Sequence, residues 1–187
     1  MGKVIIFSAP SGSGKTTIVK ELLARYPQLE FSISAPSRAP RGAEQNGVDY
    51  YFLSQEEFAQ AVAEERFVEW EEVYKGTCYG TLRSEVERIW AKGHVIVFDV
   101  DVLGGINLKR IFGDEACSIF IMAPSVEELR RRLVSRGTDA PEAIERRVAK
   151  AEFELTKAPE FDHVVVNDRL DDAVARACEI LGAFIAR

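Results

Sequence analysis

The chain of 187 residues is poor in the side chains that build disulfide frameworks and zinc sites. It has three cysteines, which are far apart and form no CxxC pair, and two histidines, each at the start of an apolar run. Thiols and imidazoles at such isolated positions are typical of buried or strand-edge residues in a reducing compartment. We therefore expect neither a structural disulfide nor a zinc site from Cys78, Cys117, Cys178, His94 and His163.

The chain also lacks a long hydrophobic run and an excess of positive charge. Its first apolar stretch, residues 4–7, is too short for a signal sequence or a membrane span, and its formal net charge is −6. A general binder of nucleic acid or of a membrane surface needs a basic face. We expect a cytoplasmic protein with neither kind of partner, in which clustered cations could bind a small anion.

Hydrophobic residues make up 47% of the chain, enough to bury the core of one compact domain. Five short β-rich segments alternate with helical patterns, and four of the five are continuously hydrophobic, as in parallel strands covered on both faces. The segments are 3–8, 31–35, 94–100, 117–123 and 163–168. The helical patterns are 14–26, 82–92, 102–112, 125–136, 141–158 and 170–186. This order predicts an α/β fold with a five-stranded parallel sheet flanked by helices.

Capping residues support three of the helix boundaries. Ser125 precedes one helical pattern, Asp139-Ala-Pro141 precedes the next, and Gly93 follows the pattern at 82–92. Residues 36–81 interrupt the alternation with a helix and with two strand-like runs that Lys75-Gly76 joins in a hairpin-like turn. We expect an inserted lobe with its own small antiparallel sheet.

The stretch "APSGSGKTT" has the pattern of a phosphate-binding loop between a buried strand and a helix. Backbone N–H groups of residues 11–16 would surround the β-phosphate of ATP, and the helix would direct its positive dipole end at it. Lys15, expected to face solvent when the loop is empty, would bridge the β- and γ-phosphates, and the Thr16 hydroxyl would ligate Mg²⁺. The predicted ATP-binding residues of the loop are Ala9, Pro10, Ser11, Gly12, Ser13, Gly14, Lys15, Thr16 and Thr17.

Ala9 stands where the strict pattern has its first glycine. A methyl group is tolerated there if the backbone φ is negative. The alternative is a glycine-rich turn that carries a Lys-Thr pair by chance, and the strand and helix on either side of the loop argue against it.

Asp99 ends a buried strand, where phosphate-loop enzymes place the acidic residue that supports Mg²⁺ through water. The alternative for Asp99 is the cap of the helix at 102–112, and both roles could hold. Arginines are dense between 130 and 150, where Arg132 and Arg136 share a helix face and Gly137 breaks the pattern. This arrangement suits a mobile lid that brings cations to the transferring phosphoryl group, although the arginines could also be solvated surface.

The ordered motifs SxxSRxPR, NGxDYxF, FxEW, YG[ST] and RLxxRGT resemble those of the guanylate kinase family, and the resemblance covers essentially the whole chain. It implies a phosphate-loop nucleoside monophosphate kinase fold with an inserted lobe of mixed or antiparallel sheet and a helical lid. The implied core is 1–32, 82–124 and 148–187, the implied GMP-binding lobe is 33–81, and the implied lid is 125–147.

The resemblance also implies site residues. The GMP phosphate would bind Arg38, Arg41, Tyr50 and Tyr79. The guanine base would be read by Ser34, Glu69, Thr81 and Asp101. The adenine of ATP would lie near Asn167. The catalytic cations would be Lys15, Arg38, Arg132, Arg136 and Arg147.

The residue chemistry fits these roles. Arg38 and Arg41 flank Pro40 and could present two guanidinium groups to one phosphate, although a solvated basic loop is the alternative. Glu69 could accept hydrogen bonds from both guanine donors, N1–H and N2–H₂, although it also fits an ordinary exposed strand face. The chain departs from the family pattern at Pro36-Ser37, at Thr81 and at Leu103, and Thr81 keeps the hydroxyl.

These features predict transfer of the γ-phosphoryl group of ATP to GMP or dGMP with Mg²⁺, by positioning and charge neutralisation. One alternative is a non-catalytic guanylate-kinase-like domain that binds a partner peptide. Against it, Gly14, Lys15 and Thr16 are intact, and we expect the chain to stand alone and not within a long scaffold. The other alternative is a related kinase of another small phosphate ester, which Glu69 and Asp101 argue against. The sequence leaves the oligomeric state open.

Overall fold

The computed structural model of the chain describes residues 2–135, 137 and 140–187. In chain order the strands are β1 (Val4–Ser8), β2 (Leu29–Phe31), β3 (Ala35–Pro36), β4 (Phe67–Tyr74), β5 (Thr77–Leu82), β6 (Val95–Asp99), β7 (Ala116–Met122) and β8 (His163–Val166). The helices are α1 (Lys15–Arg25), α2 (Gln55–Ala63), α3 (Arg83–Trp90), α4 (Val102–Phe112), α5 (Val126–Ser135), α6 (Pro141–Leu155) and α7 (Leu170–Ile185).

Continuously apolar strands build the main sheet, as the sequence predicts. Its five parallel strands have the order β2-β6-β1-β7-β8. Strand β1 is buried along its whole length and pairs with β7 from Val4 opposite Ala116 to Ser8 opposite Phe120. Strands without a polar face need cover on both sides of the sheet. The predicted α/β fold with a five-stranded parallel sheet is therefore confirmed.

The predicted strand at 31–35 is wrong, because the structure divides this segment between two sheets. Strand β2 ends at Phe31 in the parallel sheet, and β3 belongs to the antiparallel sheet. The backbone N–H of Ile33 donates to a carboxylate oxygen of Glu85 at 2.9 Å instead of continuing a ladder. Pro36 has no N–H to donate, and β3 ends there.

The predicted helices all form, with small differences at their ends. The Ser125 hydroxyl accepts a hydrogen bond from Glu128 N at 3.1 Å at the start of α5, and Pro141 is the first residue of α6. The predicted cap at Asp139 lies outside the described residues. Helix α6 ends at Leu155, earlier than predicted, and a 3₁₀ turn follows at Ala158–Glu160. Pro159, inside this turn, cannot continue an α-helix.

The predicted antiparallel sheet is present and has the order β3-β5-β4. Strands β4 and β5 form a hairpin closed by Lys75 and Gly76, and Gly76 has a φ of +77°. Glycine adopts this left-handed conformation without the penalty of a Cβ atom. The sequence prediction of a hairpin at this point is confirmed.

The described chain forms two compact units, residues 28–97 with residue 2, and residues 3–27 with 98–187. We call them the lobe unit and the loop unit. The core of the lobe unit includes Ala35, Phe58, Ala61, Phe67 and Leu82. One core cluster of the loop unit comprises Ala123, Leu129, Leu133, Ile144, Val148 and Ala151. The finer predicted division into core, lobe and lid stays a prediction. Within the described residues, no helix has the length and apolar character that a membrane crossing requires.

Candidate active site

The loop unit contains the predicted phosphate loop between the end of β1 and the start of α1. Gly12 and Gly14 have φ values of +92° and +87°. A Cβ atom on Gly14 would lie 2.3 Å from Asn167 Nδ2, so only glycine fits there. Among the described residues the one non-glycine with a positive φ is Glu65, so Ala9 meets the condition set for it. The glycines and the start of α1 at Lys15 give the loop its predicted strand-turn-helix setting.

Lys15 differs from its expected solvent-facing position. Its ammonium group donates to Val100 O at 2.9 Å and forms an ion pair with Asp99, and its side chain is 18% exposed. An ammonium group with this little access to water needs such partners. The carboxyl end of β6 provides both of them.

Asp101, rather than Asp99, caps the helix that follows β6. Its carboxylate accepts a hydrogen bond from Gly104 N at 3.1 Å, and its backbone oxygen accepts one from the Ser8 hydroxyl at 3.1 Å. The alternative interpretation of Asp99 as this cap is therefore wrong, because its carboxylate binds Lys15 instead. The predicted role of Asp101 in reading guanine stays a prediction.

The donor set near the loop fits a magnesium ion. The Thr16 hydroxyl is exposed at the first turn of α1, and Asp99 supplies carboxylate oxygens at the end of β6. Mg²⁺ prefers such oxygen donors and usually keeps several waters and substrate phosphates as its other ligands. Within residues 2–135, 137 and 140–187, no three His, Cys, Asp or Glu side chains group as an all-protein metal site.

A chain of hydrogen bonds joins the loop to helix α5. Asn167 donates from Nδ2 to Ser13 O at 2.8 Å and is buried. Arg132 donates from Nη2 to Asn167 O at 2.9 Å and from Nε to Glu128 at 2.7 Å. These contacts bring Arg132 and Asn167 against the predicted ATP-binding loop.

The other predicted lid cations are placed differently. Arg147 donates from Nη1 to the Ser11 hydroxyl at 3.2 Å, so a second arginine contacts the loop. Arg136 lies outside the described residues. Arg130 pairs with Glu145 at the surface, in line with a solvated face.

The lobe unit brings together three of the residues predicted to hold the GMP phosphate. Arg38 donates from Nε to the Tyr79 hydroxyl at 2.9 Å. Its guanidinium carbon lies 5.2 Å from the ring centre of Tyr50 and 5.5 Å from that of Phe52. Aromatic faces stabilise a cation at these distances. Arg38 is therefore held as a charged group among aromatic rings.

Glu44 is a site residue that the sequence analysis missed. Its carboxylate accepts two hydrogen bonds from the Arg38 guanidinium, at 2.7 and 3.0 Å, and one from Arg41 N at 2.8 Å. The bond to Arg38, followed by that to Arg41, lowers the pKa of Glu44 to about 2, and the pair raises the pKa of Arg38. Its position three residues after Arg41 is a signal in the sequence, but a carboxylate repels a phosphate and is therefore not predicted as its ligand.

Two of the predicted guanine-reading residues meet across the hairpin. Glu69 and Thr81 are opposite each other on β4 and β5, and the Thr81 hydroxyl donates to Glu69 Oε1 at 2.8 Å. Thr81 is buried and Glu69 is half-buried, while the neighbouring Trp70 is 44% exposed. Glu69 therefore differs from the exposed strand-face residue of the alternative interpretation. Ser34 also belongs to this unit, and Asp101 belongs to the loop unit.

A family model described as guanylate kinase matches residues 1–184. The chain belongs to the guanylate kinase family. A guanylate kinase of Bacteroides fragilis is 56% identical over 183 residues, which cover 98% of this chain and 90% of that protein. A guanylate kinase of Porphyromonas gingivalis is 53% identical over 188 residues, with all of both chains covered. A crystal structure of guanylate kinase from Anaplasma phagocytophilum has a TM-score of 0.77 at 31% identity and covers 97% of this chain and 85% of that chain.

Membership in the guanylate kinase family confirms the predicted kinship, fold class and enzyme type, a nucleotide-binding kinase. One departure from the family pattern has a structural role. The Ser37 hydroxyl accepts hydrogen bonds from Cys78 N at 2.9 Å and from Gln55 Nε2 at 3.2 Å. These bonds fix the chain immediately before Arg38. Leu103, another departure, is 45% exposed on α4.

Proposed function

We propose that this guanylate kinase family member transfers the γ-phosphoryl group of ATP to GMP or dGMP, with Mg²⁺ bound to the nucleotide phosphates. The observation that carries the proposal is the arrangement of strand β5. Tyr79 and Thr81 are two residues apart and therefore lie on the same face of the strand. The Tyr79 hydroxyl accepts a hydrogen bond from Arg38, a cation suited to bind a phosphate, and the Thr81 hydroxyl donates to the carboxylate of Glu69. One strand face thus offers groups for both ends of a nucleoside monophosphate.

The chemistry of the base favours guanine at Glu69. Guanine presents two adjacent donors, N1–H and N2–H₂, and a carboxylate can accept from both. Adenine has a lone pair at N1, which would face the carboxylate oxygens and leave an acceptor unsatisfied. A buried polar group without a partner costs about 1–3 kcal/mol and a charged one costs more, so we expect the Glu69 carboxylate to select GMP over AMP by at least tenfold.

The phosphate loop supports the role of ATP as phosphoryl donor. Backbone N–H groups of the loop and the N-terminus of α1 favour a polyphosphate, and Lys15 adds a positive charge. Asp99 forms an ion pair with the Lys15 ammonium group, and we expect the phosphates of a bound nucleotide to replace Asp99 as its partner. Arg132 and Arg147 would add charge stabilisation, and no general base is required, because the attacking phosphate is already ionised.

Thr16 directly, and Asp99 through water, would hold Mg²⁺. When bound, the ion neutralises charge on the transferring and leaving phosphate oxygens.

A coupled assay tests the proposal with ATP and one acceptor at a time: GMP, dGMP, AMP, UMP or dTMP. We expect turnover with GMP and dGMP, and a kcat/KM for AMP at least tenfold lower. Equal turnover with a pyrimidine acceptor would indicate the related-kinase alternative. Absence of ADP formation with every acceptor, together with binding of GMP in calorimetry, would indicate a non-catalytic domain.

A further inference from the structure

Glu85 is a buried charged residue in the lobe unit for which the proposed function has no role. It lies in the first turn of α3, and its side chain is 1% exposed. Its two carboxylate oxygens accept hydrogen bonds from Ile33 N at 2.9 Å, from the Tyr51 hydroxyl at 3.0 Å, and from Arg88 Nε and Nη2 at 2.8 and 2.9 Å. A buried carboxylate with this many donors is fully satisfied.

The hydrogen bonds of Glu85 belong to a closed ring that passes through Ser34. Tyr51 donates from its hydroxyl to Glu85, and its backbone N–H donates to Ser34 O at 2.9 Å. On the other side, Ile33 N donates to Glu85. The bond from Leu53 N to Pro36 O at 3.0 Å continues this alignment. Two backbone hydrogen bonds therefore hold the segments 33–36 and 51–53 side by side, and the Glu85 carboxylate adds one bond to each segment.

Ion pairs tie Glu85 through Arg88 to strand β2. Arg88 also pairs through Nη1 with Glu30 on β2, and Glu30 accepts hydrogen bonds from Lys92 at 2.8 Å and contacts His94 Nδ1 at 2.7 Å. Burial alone would raise the pKa of Glu30, but the bonds from Lys92, Arg88 and His94 outweigh it and lower the pKa to about 2. Glu30 therefore stays ionised at neutral pH and, through Arg88, ties Glu85 to strand β2 of the parallel sheet.

The ring connects two residues of the proposed GMP site. Ser34 is a member of the hydrogen-bonded ring. Tyr50 immediately precedes Tyr51, and the centre of its aromatic ring lies 6.0 Å from that of Tyr79. A shift of one segment against the other would change the spacing between a base-reading and a phosphate-reading residue. We propose that Glu85, acting through Tyr51, is a positioning residue for GMP that sets the spacing between Ser34 and Tyr50. This inference rests on the proposed function.

If Glu85 only stabilised the fold, an apolar side chain at this position would be sufficient. The neighbouring buried residues of α3, Val86 and Ile89, are apolar and pack at no electrostatic cost. A buried ion pair is often no more stabilising than an apolar replacement, because both charges lose their hydration. What Glu85 adds to packing is a fixed direction for each of its donors. Misplacement of binding groups by about 1 Å can cost on the order of a hundredfold in activity.

The substitution Tyr51→Phe tests the inference, because it removes one hydroxyl and keeps the ring that packs on the lobe core. We expect the KM and the Kd for GMP to rise threefold or more, while the KM for ATP changes by less than twofold. Tyr26→Phe is the matched control. It removes a tyrosine hydroxyl that donates to Cys178 O at 3.4 Å in the loop unit, and it should change neither constant.

Glu85→Gln is a second variant. Its amide group would face a donor, so we expect a larger rise in the GMP constants than Tyr51→Phe gives. If Glu85→Gln does not fold, Tyr51→Phe decides. Unchanged GMP constants in Tyr51→Phe, or equal losses for ATP and GMP, would overturn the inference. Wild-type protein that neither binds nor phosphorylates GMP would instead overturn the proposed function, and calorimetry of the wild type separates the two results.

Discussion

The two compact units hold their functional side chains by different acceptors. In the loop unit main-chain oxygens share this role with carboxylates: Lys15 donates to Val100 O as well as pairing with Asp99, Arg132 donates to Asn167 O as well as to Glu128, and Asn167 donates to Ser13 O. In the lobe unit carboxylates are the main acceptors: Glu44 for Arg38, Glu69 for Thr81, and Glu85 for Tyr51. A main-chain oxygen is present whatever the residue, whereas a carboxylate is lost with one substitution. We therefore expect single Glu→Gln changes to affect the lobe unit selectively.

Each unit contains a buried glutamate, and the pKa values of these two carboxyl groups are shifted in opposite directions. Burial tends to raise the pKa of Glu85, but hydrogen bonds from Arg88, Ile33 and Tyr51 outweigh it and hold this pKa below its usual value. Burial raises the pKa of Glu154 on α6, whose ion-pair partner Lys150 is 3.7 Å away. The number of close donors, more than burial itself, decides which charge state a buried carboxylate favours.

The largest effect is expected at the cation of the loop unit. Lys15→Met should lower kcat by a hundredfold or more, because loss of charge stabilisation in the transition state costs about 3 kcal/mol or more. Lys20→Met, an exposed lysine on the same helix, is the control and should leave kcat unchanged. Circular dichroism checks that the fold is kept. Turnover of Lys15→Met within threefold of the parent would show that the loop is not the catalytic cradle.

The next effect concerns selectivity in the lobe unit. Glu69→Gln should lower kcat/KM for GMP by about tenfold to a hundredfold, because a charge-assisted hydrogen bond worth roughly 1.5–3 kcal/mol is lost and a donor faces a guanine donor. The KM for ATP should stay nearly constant, and AMP should gain relative to GMP. Steady-state kinetics with both acceptors measure this change. Glu87→Gln, at an exposed position of α3, is the control.

An unchanged ratio of GMP to AMP activity in Glu69→Gln would remove Glu69 from the base site. It would also reopen the choice between guanine and another acceptor.

A smaller effect is expected at Glu44. Glu44→Gln should raise the KM for GMP about threefold to tenfold, because the amide keeps one acceptor and the guanidinium of Arg38 loses its two-point contact. The ATP constant should not change. Titration with GMP and with guanosine separates the phosphate from the base, and only GMP should weaken. A lower KM for GMP would mean that the Glu44 carboxylate competes with the phosphate for Arg38.

The smallest effect is the pH dependence of stability. The lowered pKa of Glu85 gives stability that is present above about pH 4.5 and is lost as the pH falls below that value. The raised pKa of Glu154 has the opposite sign: its favourable contribution is present below about pH 4.5 and is lost as the pH rises. Glu154→Gln should therefore gain in Tm relative to the parent by about 1–3 °C between pH 4 and 7.

Glu85→Gln should show the opposite pH dependence. Its Tm should lie furthest below that of the parent at pH 7, and the difference should become smaller below pH 4.5. Thermal melts across this range test both signs. If the Tm of the two variants, relative to the parent, changed with pH in the same direction, the opposite pKa shifts of Glu85 and Glu154 would be contradicted.

The sequence by itself determined the features that depend on neighbours in the chain. The apolar runs of β1 and β7, the glycines of the phosphate loop and the Lys75-Gly76 hairpin follow from local periodicity and backbone freedom, and all form as predicted. The family motifs likewise predict site residues by their order along the chain.

Only the tertiary structure decided which partners these residues have. Glu85 and Ile33 are 52 residues apart, and Asn167 and Ser13 are 154 apart, so no local pattern joins them. The same holds for Asp99, for which the sequence leaves open support of Mg²⁺ through water and a role as helix cap. In the structure Asp101 caps α4, and Asp99 pairs with Lys15. A hydrogen-bond partner is fixed by distance and direction in space, and for residues far apart in the chain the tertiary fold sets both.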